Sequence, residues 1–312
     1  MGAQGYLLCL EGGGTRSQAV LMTSDGQVLK LIESSAVNTN FVPFDQAQRA
    51  VLTAVKVVLQ EAGVKGDEIH KFVSSLVGPR FGAETFGKLC PNAEYQYYCE
   101  RDLIFARAGV YRPHGVAVVA ATGATAWGLR QDDGREVALG GWGSLLGDEG
   151  SAYALGLSGL RGAVRAFEAR DLTPTRLVEA VCQHFGLTFD RFHQDLIHLA
   201  YQKPLNRTEI AGFAVAVTRL AQQGDPMSLR ITTKVANDLT NLALHAVRRL
   251  FQTTEKFDLV IAGGLVNAGD LILAPLKLAL QTEFPMADFH IGSEVPGIAL
   301  GKLALNDKEN GC

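Results

Sequence analysis

The hydrophobic and polar positions follow the same order in two separate segments of the chain. Residues 6–33 and 115–141 each read as an apolar strand, a turn of small residues, a second strand, an Asp-Gly turn and a third strand. An Asp-Gly pair between two such runs is a strong indication of a β-hairpin. The repeat favours a duplicated domain with two glycine-containing turns, although two unrelated three-stranded meanders would also produce it.

Helical periodicity follows each repeated segment. Asp45 is placed to cap a helix that carries Val51, Val55 and Leu59 on its apolar face and stops at Gly63. Further strands are predicted at 69–77, 94–99 and 258–266. Further helices are predicted at 151–170, 174–186, 208–224, 226–251, 270–282 and 296–305.

These elements predict an α/β protein with two domains, because the second repeat begins a new set of strands. The N-terminal domain is expected to span residues 1–114 and to be completed by the closing helix within 296–312. The C-terminal domain is expected to span residues 115–295. Gly297 and Gly301 lie four residues apart in the closing helix and would permit close packing there.

The composition supports a folded enzyme-sized chain and excludes several partner classes. The 312 residues are 47% hydrophobic and 20% charged, which is enough apolar material for a core and excludes disorder as the main state. The net charge of −3 argues against a nucleic-acid binder held by bulk electrostatics. No apolar run approaches the roughly 18 residues that span a bilayer, and the start does not resemble a signal peptide. We therefore expect no membrane partner.

Cysteine and histidine usage indicates neither a disulfide framework nor a metal site. The five cysteines are odd in number and form no C-x-x-C pair, so no zinc site is signalled. The seven histidines form no HExxH motif. This usage favours a reducing, cytoplasmic location.

The first candidate for chemistry is the glycine turn that follows the first apolar strand. The glycines at 12–14 let the backbone bend tightly and bring N–H groups close to an anion, and Thr15 adds a hydroxyl. Glu11 supplies a carboxylate suited to a hydrated Mg²⁺. A strand rather than a helix follows, and no GK[ST] is present, so the motif is neither a Rossmann nor a Walker turn. Alone, it is equally consistent with a turn that binds nothing.

Two more strand-to-glycine turns raise the case for a nucleotide. Thr122 and Gly123 occupy the corresponding turn of the second repeat, and Gly263 and Gly264 follow the strand at 258. Three such turns, two of them in matching repeats, predict a nucleotide whose phosphates lie between two domains.

The segment 140–151, GGWGSLLGDEGS, is the most unusual part of the sequence. Its many glycines are costly in conformational entropy for a mere connector. Asp148 and Glu149 precede a helix and could, with Ser151, stabilise its N-terminus. The interpretation we favour is a polyol site in which carboxylates accept hydrogen bonds from hydroxyls.

Two motifs resemble a known family. EGGGTRS at 11–17 and GGWGSLLGDEGSAYALG at 140–156 resemble the N-acetylglucosamine kinase branch of the BadF/BadG/BcrA/BcrD ATPase family, within the actin/hexokinase/Hsp70 ATPase superfamily. AGF at 211–213, AQQGDP at 221–226 and VIAGGLV at 260–266 extend the resemblance over nearly the whole chain. It implies two RNase-H-like (actin-like ATPase) domains, with Mg²⁺, ATP and an amino sugar in a central interdomain cleft, and a homodimer.

The resemblance also implies roles for individual residues. Those implied to bind ATP are Gly12, Gly13, Gly14, Thr15, Thr122, Gly123, Gly212, Gly263 and Gly264. Those implied to bind the sugar are Asn40, Asp102, Gly141, Trp142, Gly143, Ser144, Leu145 and Asp148. Glu11 is implied to hold Mg²⁺ through water. Asp102, 13 residues before Gly115, matches the general base of the relatives.

The implied activity is transfer of the γ-phosphate of ATP to the 6-hydroxyl of N-acetylglucosamine or a related amino sugar. The chain departs from the family in the second turn, where relatives usually read S/A-G-T-G-S and this chain reads Ala120-Ala121-Thr122-Gly123-Ala124. Ala121 would be strained if the turn requires a positive φ. These changes leave open a catalytically impaired sugar or muropeptide sensor.

Two further alternatives rest on other residues. Arg80 stands where relatives place polar sugar contacts, which favours an acidic amino sugar such as N-acetylmuramic acid unless Arg80 points outward and pairs with Glu84 or with solvent. A dehydratase-activating ATPase would hold a 4Fe–4S cluster across a dimer. Cys90 and Cys99 are the close pair available for it, and their surroundings do not resemble a glycine-flanked cluster loop.

Overall fold

The computed structural model describes residues 5–39, 42–78, 80–202 and 205–307. The strands of this part are β1 (Tyr6–Gly12), β2 (Arg16–Thr23), β3 (Val28–Ser35), β4 (Ile69–Leu76), β5 (Glu94–Tyr97), β6 (Gly115–Ala120), β7 (Ala124–Leu129), β8 (Glu136–Gly140), β9 (Asp258–Ala262) and β10 (Asp288–Gly292). Its α-helices are α1 (Phe44–Ala62), α2 (Ala83–Phe86), α3 (Glu100–Ala106), α4 (Ala152–Phe167), α5 (Leu177–Phe185), α6 (Phe192–Ile197), α7 (Arg207–Gln222), α8 (Pro226–Leu250), α9 (Asp270–Glu283) and α10 (Pro296–Asn306). Over the same ranges, no helix is both long and apolar enough to cross a membrane.

The chain divides into two compact units. Unit 1 comprises Met1–Pro113 and Gly292–Cys312, and unit 2 comprises His114–Ile291. Unit 1 therefore takes the closing helix α10 from the far end of the sequence.

The sheets of the two units have the same topology. In unit 1 the strand order is β3-β2-β1-β4-β5, with β1 antiparallel to β2 and parallel to β4. In unit 2 the order is β10-β9-β6-β7-β8, with β6 antiparallel to β7 and parallel to β9. In each case the first strand of the repeat is central and its hairpin partner lies beside it. The predicted α/β fold with a duplicated three-strand segment is confirmed.

In unit 1 helices cover both faces of the sheet. α1 buries Val51, Val55 and Val58 on one face and ends at Gly63, whose φ of 67° suits a glycine. α10 covers the other face together with α3. A Cβ on Gly301 would lie 2.2 Å from the Met22 sulfur, so the glycines of α10 do permit close packing.

The start of α1 differs from the prediction. The residue that precedes the helix is Pro43, whose carbonyl accepts the Ala47 N–H at 3.0 Å. Asp45 is the second residue of the helix, in its first turn, and pairs with Arg49 at 2.7 Å. The expectation that Asp45 caps the helix was wrong, because an ion pair four residues on competes for the same carboxylate.

Unit 2 is larger because helices α4 to α9 follow its hairpins. α4 packs along α7, and α8 packs against β7 and β8. α8 buries Val235, Leu239, Ala243 and Ala246 on one face. The short elements α2, α3, α6 and β10 were not predicted, because segments of four to seven residues show too little periodicity.

Candidate functional site

The first glycine turn joins β1 to β2 and is anchored by its own backbone. The Gly13 N–H donates to the Arg16 carbonyl at 3.0 Å, and the Gly13 carbonyl accepts the N–H groups of Val37 and Asn38. A Cβ on Gly12 would lie 2.4 Å from the Val37 side chain, so only glycine fits. Gly14 and Thr15 are exposed at the tip. The tip can therefore present backbone N–H groups and a hydroxyl to an anion.

Two carboxyl groups in unit 1 have raised proton affinities. Burial first and the nearby Glu100 second raise the pKa of Glu11 to about 7, while Arg107 and Arg16 oppose the shift. Burial also raises the pKa of Glu100 to about 7. Desolvation by burial lowers the pKa of Arg107, whose Nε donates to the Glu294 carbonyl at 2.9 Å. Two desolvated carboxyl groups near one partly desolvated arginine form an acidic site that a divalent cation would stabilise.

The residues present fit a magnesium ion held through water rather than directly. In the described ranges, no three acidic, histidine or cysteine side chains converge closely enough to enclose a metal ion. Glu11 is the penultimate residue of β1, close to the exposed tip of the turn, and its partly buried carboxylate is the kind of oxygen ligand that Mg²⁺ prefers. Mg²⁺ keeps several waters and dehydrates reluctantly, so one carboxylate acting through water is sufficient.

Glu100→Gln should stabilise the unliganded protein at pH 8 by about 1–3 kcal/mol. The folded-state pKa of about 7 lies above the ordinary value of 4.5, so the contribution of Glu100 favours folding below pH 4.5 and is lost as the pH rises through 7. At pH 5 the variant and the parent should therefore differ little. Thermal unfolding at both pH values is the measurement. Glu94→Gln, at an exposed position of β5, is the matched control and should leave the unfolding temperature unchanged at both pH values. If the difference in stability between Glu100→Gln and the parent is the same at pH 5 and pH 8, the raised pKa of Glu100 is contradicted.

Asp102 lies in the first turn of α3. The Cys99 thiol donates to its Oδ2 at 3.0 Å, and the Arg101 Nε donates to its Oδ1 at 3.0 Å. The side chain is 15% exposed. These two bonds orient the carboxylate, and an ionised carboxylate is a group that can take up a proton. This geometry is compatible with a general base.

The second glycine turn, between β6 and β7, is held by α4. The N–H groups of Ala152 and Tyr153 donate to the carbonyls of Ala121 and Thr122 at 2.9 and 3.3 Å. Ser151 is the N-cap of α4 and accepts the Ala154 N–H at 3.1 Å. Ala121 does not adopt a positive φ, so the alanine that replaces the family's glycine is not strained there. The turn therefore forms without a glycine at position 121, and its contact with phosphate stays a prediction.

Asp148 is buried and braces the second turn. Its side chain is 1% exposed, its Oδ1 accepts the Ala124 N–H at 3.0 Å, and its Oδ2 pairs with Arg207 at the start of α7. A Cβ on Gly123 would lie 2.7 Å from Arg207 and 3.0 Å from Asp148. The backbone of Asp148 has a φ of 66°, which aspartate tolerates better than most residues. The structure directs the carboxylate toward Ala124 and Arg207, and its contact with a sugar stays a prediction.

The loop between β8 and α4 is the most exposed apolar segment near this turn. Trp142 is 73% exposed and Leu145 is 92% exposed. Gly141 and Gly143 have φ values of 72° and 80°, which glycine adopts without strain. Ser144 is half-buried beneath them. The loop can offer an aromatic ring and backbone groups to a ligand, as a sugar-binding loop requires.

The glycines predicted near the adenosine fall on two neighbouring segments of unit 2. Gly263 has a φ of 109°, and a Cβ there would lie 2.4 Å from the Ala120 carbonyl oxygen. Gly264 begins a 3₁₀ turn that contacts α7, which carries Gly212. Both Gly264 and Gly212 are exposed, with open space beside them. A flat ring can approach such a surface closely. Asn40, predicted to bind the sugar, lies outside the described residues.

Arg80 does not pair with Glu84. Its guanidinium lies 4.3 Å from the ring centroid of Tyr97, and Glu84 instead accepts the Gly82 N–H at 2.8 Å. Arg80 and Tyr97 line a cavity of about 180 Å³, with Ser74 and Gln96 among the other lining residues. Tyr97 is within electrostatic reach of Glu100 and Cys99, which places this cavity in the neighbourhood of α3 and Asp102.

The cysteines are poorly suited to an iron–sulfur cluster. Cys90 is packed in the core beneath α1, and Cys99 is bound to Asp102. Burial raises the pKa of Cys90 to about 11 and, with Asp102, that of Cys99 to about 12. Cluster ligands are thiolates, which both environments disfavour.

Three of the residues that shape this site carried no signal in the sequence. Arg207 lies 59 positions from Asp148, and nothing in its own segment marks it as a partner. Glu100 lies two residues before Asp102 on α3 and Arg107 follows the end of that helix, but their relation to Glu11 depends on strand pairing. Their closeness to Asp102 in the sequence is what could have directed attention to them.

Comparison with known proteins agrees with the motifs. The sequence profile of the BadF/BadG/BcrA/BcrD ATPase family matches residues 10–286. The N-acetylmuramic acid/N-acetylglucosamine kinase of Clostridium acetobutylicum is 25% identical over 288 residues, 90% of this chain and 92% of that protein. The N-acetyl-D-glucosamine kinase of Dictyostelium discoideum is 26% identical, covering 96% of this chain and 98% of that protein.

Solved structures share the fold. A Porphyromonas gingivalis protein described as a proposed N-acetylglucosamine kinase has a TM-score of 0.71 at 18% identity, covering 98% of this chain and 100% of that one. A ROK family glucokinase from Streptomyces griseus, solved with glucose and AMPPNP, has a TM-score of 0.58 at 13% identity, covering 96% and 99%. At these identities the likeness establishes the fold alone.

Proposed function

The chain belongs to the BadF/BadG/BcrA/BcrD ATPase family, and from that premise we propose that it is an ATP-dependent kinase acting on the 6-hydroxyl of N-acetylglucosamine or a related amino sugar. The observation that carries the proposal is the pair of glycine turns at equivalent places in two duplicated sheets, β1–β2 and β6–β7. Two curated relatives that span nearly the whole chain are named as kinases of such sugars. A homodimer and a cytoplasmic location, both implied by the family resemblance or composition, belong to the same proposal.

The proposed chemistry in unit 1 centres on Asp102. Its carboxylate accepts the proton of the sugar 6-hydroxyl as that oxygen forms a bond to the γ-phosphorus. The bond between the γ-phosphorus and the β–γ bridging oxygen breaks, and ADP leaves. The N–H groups of the tip at Gly14 and Thr15 hold phosphate oxygens in place, in a turn that the Gly13 backbone keeps in shape. Mg²⁺, bound through water by Glu11, would neutralise phosphate charge.

The proposed contribution of unit 2 is to bind both substrates. Thr122 and Gly123 contact phosphates, with the start of α4 behind them, and a helix N-terminus favours negative charge. Gly212, Gly263 and Gly264 provide the surface for adenosine. The loop 141–145 binds the sugar, with Trp142 as an apolar platform for the ring.

ADP release across a sugar panel tests the proposed function. The panel comprises glucosamine, N-acetylglucosamine, N-acetylmannosamine, N-acetylmuramic acid and glucose, each with Mg²⁺ and ATP in a coupled assay. We expect release stimulated most by an N-acetylated hexosamine. Sugar binding by calorimetry without stimulated ADP release would instead identify a sensor that has lost catalysis, and neither response would reject both.

A second candidate substrate, an acidic amino sugar, is favoured by Arg80. Tyr97 supports one face of its guanidinium, and the structure records no ion pair for Arg80 among the described residues. A guanidinium held in this way can bind a carboxylate through two parallel charge-assisted bonds. The lactyl carboxylate of N-acetylmuramic acid has that chemistry, and a neutral hexosamine does not.

Arg80→Ala should weaken the binding of N-acetylmuramic acid about 10- to 100-fold and change the binding of N-acetylglucosamine little. The reason is that one charge-assisted pair contributes about 1.5–3 kcal/mol. The measurement is the KM or inhibition constant of each sugar. Arg112→Ala, which removes an exposed charge from the same unit, is the control and should affect neither sugar. An equal loss for both sugars, or no effect of the acidic sugar on the parent enzyme, would leave Arg80 without this role.

A further inference from the structure

A groove in unit 2 lies away from the glycine turns. It has a volume of about 600 Å³ and runs between the C-terminal half of α4 and the segment formed by α6 and the π-helical turn His198–Gln202. The second glycine turn contacts the opposite, N-terminal end of α4. The proposed kinase chemistry leaves this groove unused, although its size falls in the range of 300–1,000 Å³ that is typical of small-molecule sites.

The walls of the groove are apolar and follow helical spacing. Leu157, Leu160 and Val164 line it from α4, and Phe192 and Leu196 line it from α6. At the rim of the groove, apolar side chains are exposed to solvent. Those most exposed are Phe167 at 37%, Ile197 at 42% and Tyr201 at 80%. Exposed apolar surface around a cavity commonly marks a binding site.

The α4 rim carries uncompensated positive charge. Arg161 and Arg165 are four residues apart on α4, and both line the groove. Neither forms an ion pair in the described part of the chain, whereas the rim residues Arg170 and Glu168 pair with each other. Like charges at this spacing destabilise a helix. A bound anion between them would remove that repulsion.

We propose that this groove binds an amphipathic organic anion, a small molecule with an aliphatic or aromatic body and a carboxylate or sulfonate head. The body lies against Leu160, Val164 and Leu196, where it removes apolar surface from water. The head accepts charge-assisted hydrogen bonds from Arg161 and Arg165. This site is independent of the sugar and nucleotide sites, so its test does not depend on the proposed kinase activity.

The test uses 8-anilinonaphthalene-1-sulfonate as a fluorescent probe and decanoate as a competitor, with the full chain. We expect saturable probe binding, displacement by decanoate, and at least 10-fold weaker displacement by uncharged decanol. The double variant Arg161→Glu/Arg165→Glu should bind both the probe and decanoate at least 10-fold more weakly. Arg219→Glu/Arg249→Glu makes the same charge change at exposed positions of α7 and α8 and should bind like the parent.

Three outcomes would overturn the proposal. The first is displacement of the probe by decanol as effective as that by decanoate, which would show an apolar site without anion selectivity. The second is binding by the groove double variant equal to that of the parent, with both proteins folded by circular dichroism and thermal unfolding. The third is a decrease in probe binding as the protein concentration rises, together with self-association in sedimentation that the groove variant abolishes; a second copy of the chain would then cover the groove.

Discussion

Asp102→Asn is expected to lower kcat by about 10²- to 10⁴-fold, the usual contribution of a general base. Asparagine keeps the size of the side chain, and its oxygen can still accept the Arg101 Nε–H that now lies 3.0 Å from Oδ1. Its amide cannot take the proton from the sugar hydroxyl. The loss should therefore appear in kcat, and the sugar dissociation constant measured by calorimetry should change little. Single-turnover ADP formation is the direct measurement.

A matched variant separates catalysis from a general loss of charge. Asp45→Asn removes a carboxylate from an exposed ion pair on α1 and should leave kcat unchanged. Retention of more than about a tenth of kcat by Asp102→Asn would remove Asp102 as the base. Glu100, the other acidic residue in the first turn of α3, would then be the next residue to replace.

Asp148→Asn is expected to lower the free energy of unfolding by about 2–4 kcal/mol. The change removes the charge from a side chain that is 1% exposed and leaves the Arg207 guanidinium, 27% exposed, without its partner. An uncompensated charge that stays largely buried is strongly destabilising, and the partial exposure of Arg207 moderates the loss. Asparagine retains an oxygen for the Ala124 N–H and tolerates the positive φ, so the experiment isolates the ion pair. Urea unfolding without ligands is the measurement.

The control for this effect is an exposed ion pair in the same unit. Asp238→Asn breaks the pair with Lys234 on α8 and should cost about 0.3–0.5 kcal/mol. If Asp148→Asn is no more destabilising than this control, Asp148 does not brace the turn. Ligand affinities then separate its two possible roles. A loss of ADP affinity indicates that Asp148 positions the second turn, and a loss confined to sugar affinity indicates a contact with sugar hydroxyls.

The pairing of Asp148 with Arg207 bears on how this chain departs from its family. The second turn lacks the glycine and the serine of the relatives, yet its shape is secured from three sides by Ala152, Tyr153 and Asp148. Because backbone N–H groups rather than side chains bind phosphate in such turns, alanine at 121 and 124 need not abolish nucleotide binding. This observation favours an active kinase over an impaired sensor.

Local patterns in the sequence were sufficient for the fold and for the positions of the glycine turns. The two Asp-Gly hairpins, the long apolar face of α8 and the close packing of α10 each depend on residues a few positions apart. Such short-range signals reflect backbone sterics and side-chain periodicity, which act before any tertiary contact forms. Gly263 is an example, since the sequence places it in a turn directly after the strand at 258, and its φ of 109° is one that glycine adopts without strain.

Tertiary structure alone decided the electrostatics of the site and the existence of the groove. Glu11 and Glu100 reach pKa values of about 7 because parallel pairing of β1, β4 and β5 brings the end of β1 near the start of α3 and buries both carboxyl groups. Arg207 meets Asp148 across 59 positions, and α4 meets α6 only through packing. Shifted pKa values and cavities arise where segments distant in the sequence pack together and exclude water. The periodicity of a single segment does not encode such packing.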